Sequence, residues 1–189
     1  MLDRSKLSGA LSGIFSNPDG ILSRQEAEVL WTNAYHRYAQ GAEDVSGDGV
    51  VTVNKPGFLS TLSFGEQSAS DSARNFDAAF VAYWTGAVFA VGKLIVTPPV
   101  VCPNVGGNLI WGSETTSIVT VVAAGVLANL LRPIFQSTNS SATAFSKAQE
   151  IARAFHEATT TAVTVLITGL DTTPGPTGPL PITNTCTIR

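Results

Sequence analysis

The sequence predicts a mainly α fold with a small β component, an α+β class with four to five helices, short strands and an extended Pro-rich C-terminal arm. Three observations carry that expectation. A capping-box sequence at Ser23 opens a long amphipathic repeat; further apolar runs of helical length follow at about 72–94, 114–131 and 142–159; and Gly/Pro clusters with β-branched residues separate these runs and fill the end of the chain. Charge is scarce as well. Asp, Glu, Lys and Arg make up only 13% of the 189 residues, about half of the roughly 25% usual in soluble domains. The stretches 78–92, 115–131 and 159–170 hold almost none of it, which implies that other protein chains cover them.

Taken in order, residues 2–15 predict a short helix with Leu7, Leu11, Ile14 and Phe15 on one side, weakened by Gly9 and Gly13. Ser16-Asn-Pro-Asp-Gly20 is turn chemistry. In Ser23-Arg-Gln-Glu26 the Ser and Glu side chains can satisfy each other's orphan backbone donors. Ala27, Leu30, Trp31, Ala34, Tyr35 and Tyr38 then form one apolar stripe, ended by Gly41. Residues 45–64 read as a short strand or hairpin, since Val50-Val-Thr-Val53 is β-branched and Pro56-Gly57 breaks the chain. Residues 68–71 can cap a helix over 72–94, stopped by Pro98-Pro99. The loop 97–112 is expected to be ordered by Leu109, Ile110 and Trp111. A third helix over 114–131 would have Arg132 near its negative end and Pro133 closing it. The fourth, over 142–159, carries Phe145, Ala148, Ala152, Phe155 and Thr159 as a packing seam. In the β-branched run 159–167 helix and strand compete, and the second half favours strand. Pro174, Pro176, Pro179 and Pro181 forbid a helix after Asp171. The organisation expected is therefore a single helix-rich unit over 1–170 and an extended Pro/Gly/Thr-rich arm over 171–189, lying on a neighbouring subunit.

The chemistry on offer is thin. Net charge is −3 with no basic cluster, so neither a nucleic-acid groove nor an anionic membrane has electrostatic support. The opening lacks the apolar core and small-residue cleavage site of a secretory signal. The apolar runs fall short of the roughly 20 residues a spanning helix needs, and no aromatic or basic flanks fix an orientation. Cys102 and Cys186 lie in no zinc-ligand spacing; they are expected as buried free thiols, with a disulfide the alternative. Asp44, Ser46, Asp48 and Gly49 begin like a calcium loop, but Lys55 stands where a bidentate Glu is needed and Pro56 follows, so a turn into a strand is the better reading. His36 and His156 have no ligand or catalytic partner in the sequence and are expected at the boundary of the core with one hydrogen bond each. Gly106-Gly107-Asn108 lacks the helix and Lys of a phosphate cradle, and no nucleophile motif occurs. No enzyme, no metal and no cofactor is expected.

Ala152-Arg-Ala-Phe-His-Glu-Ala-Thr-Thr-Thr161, Val163-Thr-Val-Leu-Ile-Thr-Gly169 and Asp171-Thr-Thr-Pro-Gly-Pro-Thr-Gly-Pro-Leu-Pro181 together resemble the small virion structural proteins of tailed bacteriophages: tail, baseplate or neck components. The opening Met1-Leu-Asp-Arg-Ser-Lys-Leu and the helix around Trp31 share the flavour. The resemblance implies a homo-oligomeric, ring-forming subunit without catalytic residues. It would bind neighbouring virion proteins, be assembled in the host cytoplasm and reside in the virion. The alternative is a holin-like or other membrane-active protein, which the apolar runs would suit.

Overall fold

Among the described residues, the C-terminal ends of two helices, Ala69–Trp84 and Ala144–Ala162, lead into strands of one antiparallel sheet. The computed structural model describes residues 1–17, 22–44, 47–65, 67–89, 100–101, 108–109, 116–138, 141–171 and 180–189, with backbone alone described over parts of the strands. The order is α1 (Arg4–Phe15), α2 (Arg24–Ala39), β1 (Val50–Thr52), α3 (Lys55–Thr61), α4 (Ala69–Trp84), β2 (Val88–Phe89), β3 (Val100–Val101), β4 (Asn108–Leu109), β5 (Thr116–Val122), α5 (Val126–Gln136), α6 (Ala144–Ala162), β6 (Val163–Asp171) and β7 (Leu180–Thr187). The fold is mainly α with a small β component, as the sequence predicts, with six helices in place of four or five. Helix α1 packs on α2 and α6, α4 packs on α3 and α5, and α5 packs on α6. The sheet order is β1-β2-β5-β6-β7, every pair antiparallel; β3 and β4 form a separate two-stranded ladder.

Local chemistry sets most helix starts. Asp3, Ser23, Asn54, Ser68 and Thr143 each accept a backbone N–H of their helix's first turn, and at Ser23 both halves of the capping box are made. Helix α5 begins at Gly125, which lies in the left-handed region (φ 86°) and has no side chain to cap with. The cap comes from another element. Asp77 of α4, buried, accepts from Gly125 N at 2.7 Å and Ala128 N at 3.3 Å. Its negative charge sits at the positive end of the α5 dipole.

Several expectations are corrected. The helix expected over 72–94 ends at Trp84; Gly86 (φ 74°) turns the chain into β2. The helix expected over 114–131 splits into β5 and α5, because its first half is β-branched and fits a pleated surface better than a helix. Pro133 does not close that helix but lies inside it, leaving the carbonyl of Asn129 without its usual intrahelical donor. Pro56 does not break the chain either. It sits in the first turn of α3, where a missing N–H costs nothing. Along α2 the stripe is buried at Trp31, Ala34, Tyr35 and Tyr38, while Leu30 is 40% exposed; on α6, Phe145 is 53% exposed and lies outside the seam. The 159–167 run divides as expected, helix to Ala162 and strand from Val163.

Among the described residues of the apolar stretches attributed to neighbouring chains, many side chains are buried in the chain's own core, while Val121 is exposed. Ala79, Phe80, Tyr83, Trp84, Ala87 and Phe89 are fully buried in its own core, as are Leu127, Leu131, Val163 and Val165. The C-terminal segment is extended, as expected, but against its own chain: Leu180–Thr187 pairs with β6 from Asp171↔Leu180 to Thr164↔Thr187. Arg189 then exchanges two backbone hydrogen bonds with Glu43, and Ile188 is buried. Residues 172–179, the Pro-rich centre of the expected arm, lie outside the described residues. So do Gly106 and Gly107 and most of the loop 97–112.

Candidate functional site

The first halves of α4 and α6, whose other ends lead into the sheet, help line an aromatic groove. Ile14 and Phe15 close α1, Leu22 precedes α2, Trp31 lies midway along it, Phe64 follows α3, Phe76 lies on α4, Phe135 is near the end of α5 and Ile151 lies on α6. Together they enclose about 710 Å³, a size typical of binding clefts. Trp31 is the hub. Its ring lies 4.8 Å from Phe76, 5.7 Å from Phe15, 6.2 Å from Phe64 and 6.3 Å from Phe155, all tilted or edge-on, as ring quadrupoles favour. Trp31 and Phe76 are buried walls; Phe15 is 38% exposed at the mouth, with Phe64 and Phe135 half-buried.

The polar edge of the groove is largely committed. Arg24 donates to Ser63 Oγ and pairs with Glu28 at 3.3 Å. Glu28 also accepts from Phe64 N at 2.9 Å, and Asn75 bridges Ser63 N and the Thr61 carbonyl. These contacts fix the 62–65 turn that presents Phe64. The indole N–H of Trp31 is different. It has no acceptor among the described residues. Trp84, by contrast, gives its indole N–H to Tyr35 at 2.7 Å.

Nearer the sheet a polar chain crosses the core. Thr159 Oγ1 donates to the Phe155 carbonyl (2.7 Å), so its 3.0 Å contact with Tyr35 must be donated by the tyrosine, which in turn accepts from Trp84. Every group in this chain is satisfied, which makes it a positioning device for α2, α4 and α6. Burial pushes the Tyr35 phenol well above its ordinary range, with Tyr38 and Tyr83 raised for the same reason. None is a base at neutral pH. His36 meets the Tyr83 hydroxyl through Nδ1 at 2.9 Å, and His156 meets that of Tyr38 at 2.8 Å. Both are half-buried, the single-bond boundary role expected of them. Burial, helped by Lys55 near His36 and Arg4 near His156, holds both imidazoles below their ordinary pKa.

Other sequence candidates fall into place separately. Asp44 and Asp48 are buried in a tight turn, where Asp44 accepts the Asp48 amide at 3.0 Å and Gly47 takes φ 87°. Ser46 lies outside the described residues and Lys55 starts α3. Among the described residues no group of three metal-ligating side chains converges. Cys186 corrects the free-thiol expectation, since it is fully buried on β7 and disulfide-bonded; the chain's other cysteine, Cys102, lies outside the described residues. A second depression, of about 1050 Å³ between the first turn of α1 and α6, is polar and carries both signs of charge, from Asp3, Arg4, Lys6, Glu150 and Arg153. No helix among the described residues is long and apolar enough to cross a membrane. The aromatic groove is not legible in the sequence as a site, because its rings are spread over four helices and a loop. Comparison with protein families, curated proteins and solved structures finds no match to this chain.

Proposed function

We propose that this chain is a non-enzymatic structural subunit of a tailed-phage virion, in its tail or baseplate, which associates with copies of itself in a ring and joins neighbouring virion proteins. The observation that carries self-association is the aromatic groove left open in a charge-poor molecule, since contiguous apolar surface of this kind marks partner contacts. Phe145 and Leu30 add exposed apolar area to the described surface. The phage assignment is supported by the resemblance in the last third of the sequence. The disulfide at Cys186 suits a particle that works outside a reducing cytosol. The titratable groups at the core boundary are committed to structural hydrogen bonds, which supports a role without catalysis.

Two measurements test the proposal. Light scattering of the purified chain should show concentration-dependent association beyond the monomer. Mass spectrometry of purified particles should find the chain at a fixed multiple per virion. Recovery only from detergent-solubilised membranes would instead favour the membrane-active alternative.

A further inference from the structure

The polar depression of about 1050 Å³ between α1 and α6 shares no described lining residue with the aromatic groove. Gln149, Arg153 and His156 stand at i, i+4 and i+7 on α6, a spacing that puts all three on one helical face. Arg4, the first residue of α1, lines the same depression from the other helix. These four side chains have hydrogen-bonding capacity to spare. Neither guanidinium has a hydrogen bond or ion pair among the described residues, and the Gln149 amide has no partner there either. His156 meets the Tyr38 hydroxyl through Nδ1 at 2.8 Å, which leaves Nε2 without a hydrogen bond among the described residues.

The other charges of the depression are committed. Asp3 accepts from Ser5 N and meets Lys6 at 4.0 Å, Glu150 meets Lys147 at 3.5 Å, and Glu43 holds the Met1 ammonium at 2.7 Å. Arg4 and Arg153 are therefore the lining charges left uncompensated. A phosphate group matches what they offer. Its three oxygens accept charge-assisted hydrogen bonds from planar guanidinium forks, and its charge of about −1.5 to −2 answers two cations where a carboxylate answers one. When Tyr38 donates to Nδ1, a neutral His156 carries its proton on Nε2 and becomes a further donor. A depression of this size has room for an organic part as well. Asp3 and Glu150 in its walls, with a net chain charge of −3, oppose a polyanion such as a nucleic acid.

We propose that this depression binds a small phosphomonoester, its phosphate held by Arg4, Arg153, Gln149 and His156. The site stands apart from self-association and does not depend on it. NMR titration at fixed pH tests it on the chain's two histidines, with a control built in, because His36 also bonds a tyrosine but lies outside the depression. Glycerol phosphate should shift the His156 ring resonances saturably, with half-saturation at millimolar concentration or below, and leave those of His36 in place. Glycerol and sodium acetate at matched ionic strength should give no saturation. Arg4→Gln and Arg153→Gln replace exposed side chains with no hydrogen bond to lose among the described residues. Each should keep the helical spectrum and raise the half-saturating concentration about tenfold, the worth of one charge-assisted contact. A shift that never saturates, an equal response at His36, or variants that bind as well as the wild type overturn the proposal. Saturation by acetate at the same concentration overturns the phosphate assignment. A single-stranded oligonucleotide that binds more tightly per phosphate than glycerol phosphate overturns the small ligand.

Discussion

His36 and His156 each take a tyrosine hydroxyl through Nδ1, and each is depressed by burial and a nearby cation, Lys55 or Arg4. The sign of the consequence follows. Between the lowered folded value and the unfolded value near 6.5, the unfolded chain binds more protons than the folded one, so stability rises with pH across that window. It is fully present above about pH 6.5 and drains away as pH falls through the folded value. A melting series from pH 8 to pH 5 should show this decline, and His36→Gln with His156→Gln, which keep a hydrogen-bonding group for each tyrosine, should flatten it. Trp31 is the other residue with a large expected effect. Only 6% exposed and in contact with four rings, it should cost about 3–5 kcal/mol on substitution by alanine, read as a shift in the denaturation midpoint. A change below about 1 kcal/mol would place its ring outside the packed core.

Among the elements, α2 has the fullest local start, with both halves of its capping box made. Ser23→Ala removes the acceptor for Glu26 N and the partner of the Glu26 carboxylate, and should lower stability by about 1 kcal/mol in chemical denaturation. Such contacts span three residues, which is why the sequence disclosed this helix, its stripe and the switch to strand at Val163. The elements it did not disclose depend on distant partners. Ile118, Val119 and Val121 are apolar enough for a buried helix, and only pairing with β6, some 45 residues later, makes them a strand. Helix α5 was misplaced because its cap is Asp77, from another helix. Helix α3 was missed because Pro56 and Gly57 read as breakers, although Asn54 caps them into a first turn. The groove is hidden for the same reason, since its residues become neighbours only when five helices pack together.

For the whole molecule, the last strand matters more than its composition suggests. Cys186 and Ile188 are buried in the core and Cys186 is disulfide-bonded. Cys186→Ser should lower stability by about 2–5 kcal/mol, and reductant should lower the wild-type melting temperature while leaving the variant's unchanged. Deleting everything after Leu170 should do more than abolish assembly. It removes β7, the Arg189–Glu43 pairing and two core side chains, so the truncated chain should lose its cooperative melting transition. A truncated chain that melts as sharply as the full one would show that β7 is dispensable to the fold.

The same closing contact sets the timing of folding. Glu43, at the end of the α2 segment, waits for Arg189, and Met1 and Leu2 lie in the wall of a depression completed by α6. Chains dominated by such distant pairings fold slowly, because a long loop must close before its contacts contribute. During synthesis α1, α2 and α4 emerge well before β7 exists, with Trp31, Phe76 and Phe80 not yet covered. A chain stalled before β7 therefore leaves these apolar side chains uncovered. Proteolysis of chains stalled before β7 should find sites throughout the helices that the folded chain protects.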